Sequence, residues 1–223
     1  MSGDARNPRD GDGPRWFGLY PAVVSDLVDP DGKGRIKVSF PMFGAAGESV
    51  SAWATLLSPY ADKDQGFEVL PEAGSQVVVG FEAGDPTRPY IVGCCWNGSR
   101  SLPESAESAN NKRTWKTRSG SLLQFDDSDG AAKVTLSMKS GHQLVLDDSA
   151  QEITFEHSNG SKININIAGQ VNVTANATVE INASAVNIHS GTVMCDGVVQ
   201  CTTLIASSSV VSPSYTPGAG NVW

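Results

Sequence analysis

From Ile163 to Ala183 this chain alternates apolar and polar residues with hardly a break. Ile163, Ile165, Ile167, Val171, Val173, Ala175, Ala177, Val179, Ile181 and Ala183 share one parity, with Asn, Gln, Thr and Glu180 on the other. Successive side chains of a β-strand point to opposite faces, so period two means β-structure with one face covered. The run is longer than the usual strand of about 5–6 residues. It must therefore be several short strands, with turns near Gly169 and between 175 and 178. The phase slips after Ala185, which turns Val186 and Ile188 inward. It slips back near Gly191, returning Val193, Cys195, Val199, Cys201 and Ile205 to one parity. Past Lys162 the only charged side chains are Glu180 and Asp196.

The stretch before this run has a longer period. Gly120, Gly141 and Gly160 head three similar units, SGSLLQFDDSDGAAKVTLSM, SGHQLVLDDSAQEITFEH and SNGSKININIAGQVNV. Each reads as a short strand, a polar turn (Asp126-Asp127-Ser128, Asp147-Asp148-Ser149) and a second strand. Repeats of about 20 residues stack on one another rather than closing around a globular core. A lone chain with one apolar face and open strand edges would be an aggregation hazard. A single-chain β-solenoid and an assembly of several chains both remove that hazard, and periodicity alone does not choose between them.

The N-terminal part is different. Aromatic residues crowd the chain before residue 126, and only Phe155, Tyr215 and Trp223 follow. A compact domain followed by something thinner fits that asymmetry. The first strand is predicted over residues 20–28, ended by Asp29-Pro30-Asp31-Gly32. The second spans 35–40, with Ile36, Val38 and Phe40 on one face, and the third lies around 52–57. Residues 74–98 form a hairpin: Val77, Val79 and Phe81 alternate, Ala83-Gly84-Asp85-Pro86 turns, and a second strand runs over 89–96. Gly supplies positive φ there and Pro presets φ. Five such strands match a small Greek-key barrel. The connection over residues 60–70 reads as a loop with room for a helical turn. Residues 1–14 are expected to be disordered or held by a partner, and 99–113 to be a linker.

Composition excludes several functions. A net charge of −8 is wrong for nucleic acid, which needs a basic stripe. Residues 1–15 lack the pattern of a signal peptide, and no apolar run approaches the roughly 20 residues of a membrane span. Cys94, Cys95, Cys195 and Cys201 show no disulfide framework, so a reducing cytosolic origin is expected. His142, His157 and His189 are scattered through the repeats, and no nucleophile has a base at a motif spacing. The paired aspartates recur at one place in two repeats, which is turn chemistry rather than catalysis or calcium binding. Cys195 and Cys201, six apart and inward, are small hydrophobes before they are metal ligands. No enzyme, cofactor or metal is expected.

Four words run in order through the barrel: GRIKVSFP (34–41), AWATLLSPYA (52–61), GFEVLPEAGSQVVVGFEAGDPTRPYIVG (66–93) and WNG (96–98). This stretch resembles the oligonucleotide/oligosaccharide-binding (OB) barrel of VgrG proteins and phage baseplate assembly protein V, the central spikes of contractile injection machines. The resemblance implies an all-β chain: a five-stranded OB-fold barrel over 15–98, then, over 114–211, a triple-stranded β-helix intertwined as a homotrimer. Its core would hold Ile163, Ile165, Ile167, Val171, Val173, Val179, Ile181, Val193, Cys195, Val199, Cys201 and Ile205. A baseplate hub protein would sit above the barrel. Because the chain starts almost at the barrel, it looks more like protein V than VgrG.

Some family members insert a lysozyme between barrel and stem, and 99–113 is too short for one. Others grip iron at the tip through His-x-His. Here Asn187-Ile188-His189-Ser190 lacks the second histidine, so a blunt end is expected. Residues 212–223, with Pro213, Tyr215, Pro217 and Trp223, would cap it or dock a PAAR-type tip protein. The implied function is structural: the central spike of an assembled phage tail or injection-system particle, which would connect hub and tube to the tip and puncture the target-cell envelope, contacting it transiently, on sheath contraction. Alternatives are a type VI effector carrier of the VgrG kind and an OB module for carbohydrate or nucleic acid, the latter opposed by charge.

Overall fold

The computed structural model describes residues 15–44 and 49–213. They fall into two units, one reaching Asn176 and one starting at Ala177.

The first unit opens with a closed barrel. Strands β1 (Tyr20–Asp26), β2 (Arg35–Phe40) and β3 (Val50–Leu56) are followed by a two-residue pair, β4 (Ala61–Asp62) and β5 (Gln65–Gly66). Then come β6 (Gln76–Phe81), one 3-10 turn (Glu82–Gly84) and β7 (Pro89–Cys94). The barrel closes in the order β1-β2-β3-β7-β6. All neighbours are antiparallel except β3 and β7, which meet in parallel at Thr55↔Tyr90 and Leu56↔Ile91. Period two does the work: Ile36, Val38 and Phe40 are buried while Arg35, Lys37 and Ser39 are only half-buried. With Ala22, Val24, Ala54, Val77, Val79 and Ile91 they make the core. One end is stoppered by aromatics. Trp16 lies 4.5 Å from Phe43, 5.0 Å from Phe81 and 5.7 Å from Tyr20, ring centre to ring centre.

Two expectations need correction. The first strand ends at Asp26, not 28, because the Asp26 carboxylate accepts the Val28 N–H at 2.9 Å and bends the chain. The 60–70 connection holds no helical turn but a miniature hairpin, Ala61–Asp62 against Gln65–Gly66. Asp64 takes the left-handed conformation at φ 55, and the Asp62 carboxylate accepts the Lys63 N–H at 2.7 Å. The Ser58 hydroxyl donates to the Phe67 carbonyl at 2.7 Å, and the Phe67 N–H donates to the Tyr60 carbonyl at 2.9 Å. These polar contacts, invisible to a search for apolar period, tie the excursion shut.

The β1–β2 turn is clipped by one ion pair. Asp29 accepts from Arg35 Nε at 2.9 Å and Nη2 at 2.8 Å, and from the N–H groups of Asp31, Lys33 and Arg35. Arg35 also reaches Asp31 at 2.8 Å and lies over the Trp53 ring. The Arg35 hydrogen bonds, followed by those of the backbone, hold the Asp29 carboxyl well below the usual carboxylate range. A carboxyl whose folded value is depressed stabilises the fold above its unfolded value of about 4 and loses that contribution as pH falls further. Urea melts between about pH 5 and pH 2 should show stability falling with acidification, and Asp29→Asn should flatten that slope. An unchanged slope in the variant would mean that other carboxylates carry it.

After the barrel come seven strands: β8 (Lys112–Lys116), β9 (Leu122–Asp126), β10 (Lys133–Ser137), β11 (Gln143–Asp147), β12 (Glu152–Glu156), β13 (Lys162–Ile165) and β14 (Val171–Thr174). They pair in sequence order as one antiparallel meander. The three repeat units are the hairpins β9–β10, β11–β12 and β13–β14. Their polar turns cap themselves. Asp126 accepts from the Ser128 hydroxyl at 2.6 Å and its N–H at 3.0 Å. Asp147 accepts from the Ser149 hydroxyl at 2.7 Å and the Ala150 N–H at 2.9 Å. Asn166 does the same for Ala168 and Gln170. These bonds lower both aspartates from the ordinary carboxyl value, the Ser128 hydroxyl leading at Asp126 and the Ala150 N–H at Asp147.

In the second unit, every described residue is exposed and none belongs to a strand. Within residues 177–211 no backbone–backbone hydrogen bond forms among the described residues.

Candidate functional site

The register of the meander sorts its side chains onto two unlike faces. One cross-strand row reads Arg113, Phe125, Val134, Leu146, Ile153, Ile165, Val171. The next row on the same face reads Trp115, Leu123, Leu136, Leu144, Phe155, Ile163, Val173. All but Arg113 are apolar. The intervening positions form the other face: Lys112, Asp126, Lys133, Asp147 and Glu152 in one row, and Thr114, Gln124, Thr135, Val145, Thr154, Asn164 and Asn172 in the next. The polar face is linked internally. Gln124 donates to Thr114 at 2.9 Å, Asn164 to Thr154 at 3.0 Å and Gln143 to Glu156 at 3.0 Å.

Among the described residues, little lies over most of the apolar face. Phe125 is 46% exposed, Leu136 49%, Phe155 49% and Val173 56%. A sheet with one apolar face must bury it on something. Continuous apolar patches of this size mark an interaction surface. At its first strand the face has a partner: the Phe67 ring, from the β4–β5 excursion, lies 5.9 Å from Trp115. Arg118 pairs with Glu72 at 3.0 Å beside it. On the opposite side Glu104 accepts from Gln124 at 3.0 Å, so residues leading into β8 run over the polar face.

Ile163, Ile165, Val171 and Val173 stand on the apolar face, as the alternation requires. Ile167 does not. It sits in the β13–β14 turn, 71% exposed, because Asn166 captures the following N–H groups and breaks the parity run. Val179, Ile181, Val193, Cys195, Val199, Cys201 and Ile205 lie in the second unit, and all are exposed. Pro213 is exposed too, whereas Tyr215, Pro217 and Trp223 lie outside the described residues, as do residues 1–14. The face also extends further back than the sequence reading took it. Phe125, Val134, Leu136, Leu144, Leu146, Ile153 and Phe155 belong to it, and the signal was present in L-x-F, V-x-L, L-x-L and I-x-F within the first two repeats.

Two of the three scattered histidines meet. The rings of His142 and His157 are 4.2 Å apart, and each Nδ1 accepts a backbone N–H, from Ser158 and Asn159 respectively. Among the described residues no group of three or more His, Cys, Asp or Glu comes together as a metal-binding set. No described helix is long and apolar enough to cross a membrane.

Comparison with known proteins finds relatives of the barrel and of part of the sheet. Residues 20–96 match the model of the type VI secretion system/phage-baseplate injector OB domain. Over 120 residues the chain is 31% identical to the type VI secretion system spike protein VgrG5 of Pseudomonas aeruginosa, a match covering 51% of this chain and 15% of that protein. It is 24% identical over 145 residues to the spike protein VgrG3 of Vibrio cholerae, covering 59% of this chain and 14% of the relative. Against VgrG4b of Pseudomonas aeruginosa it is 24% identical over 181 residues, 78% of this chain and 22% of that one. The chain thus spans less than a quarter of the length of these relatives. Residues 20–96 thus match an injector OB domain, and the chain around them is similar over part of its length to VgrG-type spike proteins.

Proposed function

We propose that this chain is a non-enzymatic central spike protein of a contractile phage tail or related injection system and that it works as a homotrimer. The observation that carries this reading is the uncovered apolar face of β8–β14. Three copies arranged about one axis would turn their faces inward and bury them together. The free edges of β8 and β14 and the extended chain over 177–211 would find backbone partners in the neighbouring copies, as a triple-stranded β-helix supplies. Small inward side chains such as Ala175, Ala177 and Ala183 suit a narrow axis. The Asn, Thr and Ser outside would leave the distal stem almost uncharged, where any charge would occur three times at close range.

In this reading the barrel sits on a hub protein, and the stem transmits the thrust of sheath contraction to the target envelope. A separate tip protein of the PAAR kind would close the C-terminal end. The mechanism is mechanical. Strands interlocked between chains cannot leave singly, which makes the assembly slow to unfold. A type VI setting is a second reading, favoured by the relatives' designation as type VI secretion system spike proteins.

Multi-angle light scattering on the purified chain tests the proposal. The expected mass is three times the 23.4 kDa of one chain, and the trimer band should survive SDS at room temperature. A monomer would overturn the stem and the function together.

A further inference from the structure

The barrel carries its own apolar excursion on the side where the sheet face begins. Tyr60, Phe67, Val69 and Leu70 are each about half exposed although they flank a tightly bonded miniature hairpin. Phe67 already packs on Trp115, the first residue of one apolar row, and Glu72 holds the adjoining β8–β9 turn through Arg118. The excursion is therefore continuous with the uncovered face and fixed to its first strand. An arm anchored there has one side against its own β8 and its remaining apolar surface turned outward.

We infer that the excursion over residues 57–72 is part of the contact between copies, so that each barrel reaches past its own β8 onto the neighbouring chain. The occupant of its free side is a second copy of this chain. This rests on the trimeric reading above, since it is neighbouring copies that cover the continuous face. It goes further in assigning the barrel, and not only the stem, a share in holding the copies together. The polar ties within the excursion fit that role. Ser58, Tyr60 and Gln65 satisfy one another and the backbone internally, with the Tyr60 hydroxyl donating to Gln65 at 2.7 Å. The apolar side chains therefore stand free of these ties, beside the exposed charges of Lys63, Asp64 and Glu68, as the apolar centre and polar rim of one contact patch.

Hydroxyl-radical footprinting of the full-length chain reads the surface directly, with residues of the same type on the barrel as references. Phe17 is 68% exposed and Leu19 65%, against 50% for Phe67 and 44% for Leu70. In a single chain the pairs should therefore react at similar rates. In the assembled protein Phe67 and Leu70 should react at least about fivefold more slowly than Phe17 and Leu19. A Phe67→Asp/Leu70→Asp variant should also lose its trimer to dilution or SDS at least about tenfold faster than wild type, whereas Leu19→Asp should not. A trimer whose Phe67 and Leu70 react like their references, or whose double variant dissociates at the wild-type rate, overturns this inference alone. A monomer in light scattering overturns both it and the trimeric function.

Discussion

Val173→Asp should abolish assembly. Val173 lies opposite Ile163 on the apolar face, on the last strand of the meander. In a trimer the substitution puts three carboxylates into an apolar interior, opposite Ile163, while the one cation of the facing strand, Lys162, holds a position on the other face. Each would cost several kcal/mol to bury unpaired, and like charges near one axis add to one another. The sum exceeds what one interface position can offset, so light scattering should find the variant monomeric or aggregated. Asn172→Asp, one residue earlier, is the control. Asn172 stands opposite Asn164 on the polar face, and a carboxylate there remains in water. That variant should assemble, with at most a small loss of thermal stability. Equal behaviour of the two would mean that the face named here is not the one the copies share.

The contrast between those neighbouring positions was readable from sequence, because strict period two assigns faces without knowledge of the fold. The same holds for Ile36, Val38 and Phe40, whose burial follows from alternation alone. Three things were harder to read. The β4–β5 hairpin depends on Asp64 in the left-handed region and on side-chain bonds from Asp62 and Ser58, none of which leaves an apolar pattern. Ile167 matched the parity of its neighbours, yet Asn166 two residues before Ala168 makes a turn, and a turn residue has no face. The Phe67–Trp115 contact joins residues 48 positions apart across a linker, a separation that only the folded chain brings together. Each of β9 to β12 puts only two apolar side chains on this face. Pairing adds them across seven strands into continuous rows.

A chain ending after Gly98 should fold and yet remain monomeric. Every barrel strand pair lies within Tyr20–Cys94, the barrel is closed, and its core from Ala22 to Ile91 draws on no residue of the sheet. A closed barrel has no open edge to recruit another chain. Truncation would remove the Arg118–Glu72 ion pair, the Phe67–Trp115 contact and the hydrogen bond from Arg100 to the Gly74 carbonyl. All three are at the surface, where such contacts contribute little, commonly about 1 kcal/mol or less for the ion pair. Urea unfolding should therefore remain cooperative, with a slope set by the smaller surface exposed. The exposed excursion alone is too small a surface to hold copies together, since a stable specific interface needs upwards of about 1,000 Å². Sedimentation should find no trimer at concentrations where the full chain is wholly trimeric. A truncated barrel as firmly trimeric as the full chain would move the assembly element out of the sheet and into the barrel, and the apolar face of β8–β14 would then need another occupant.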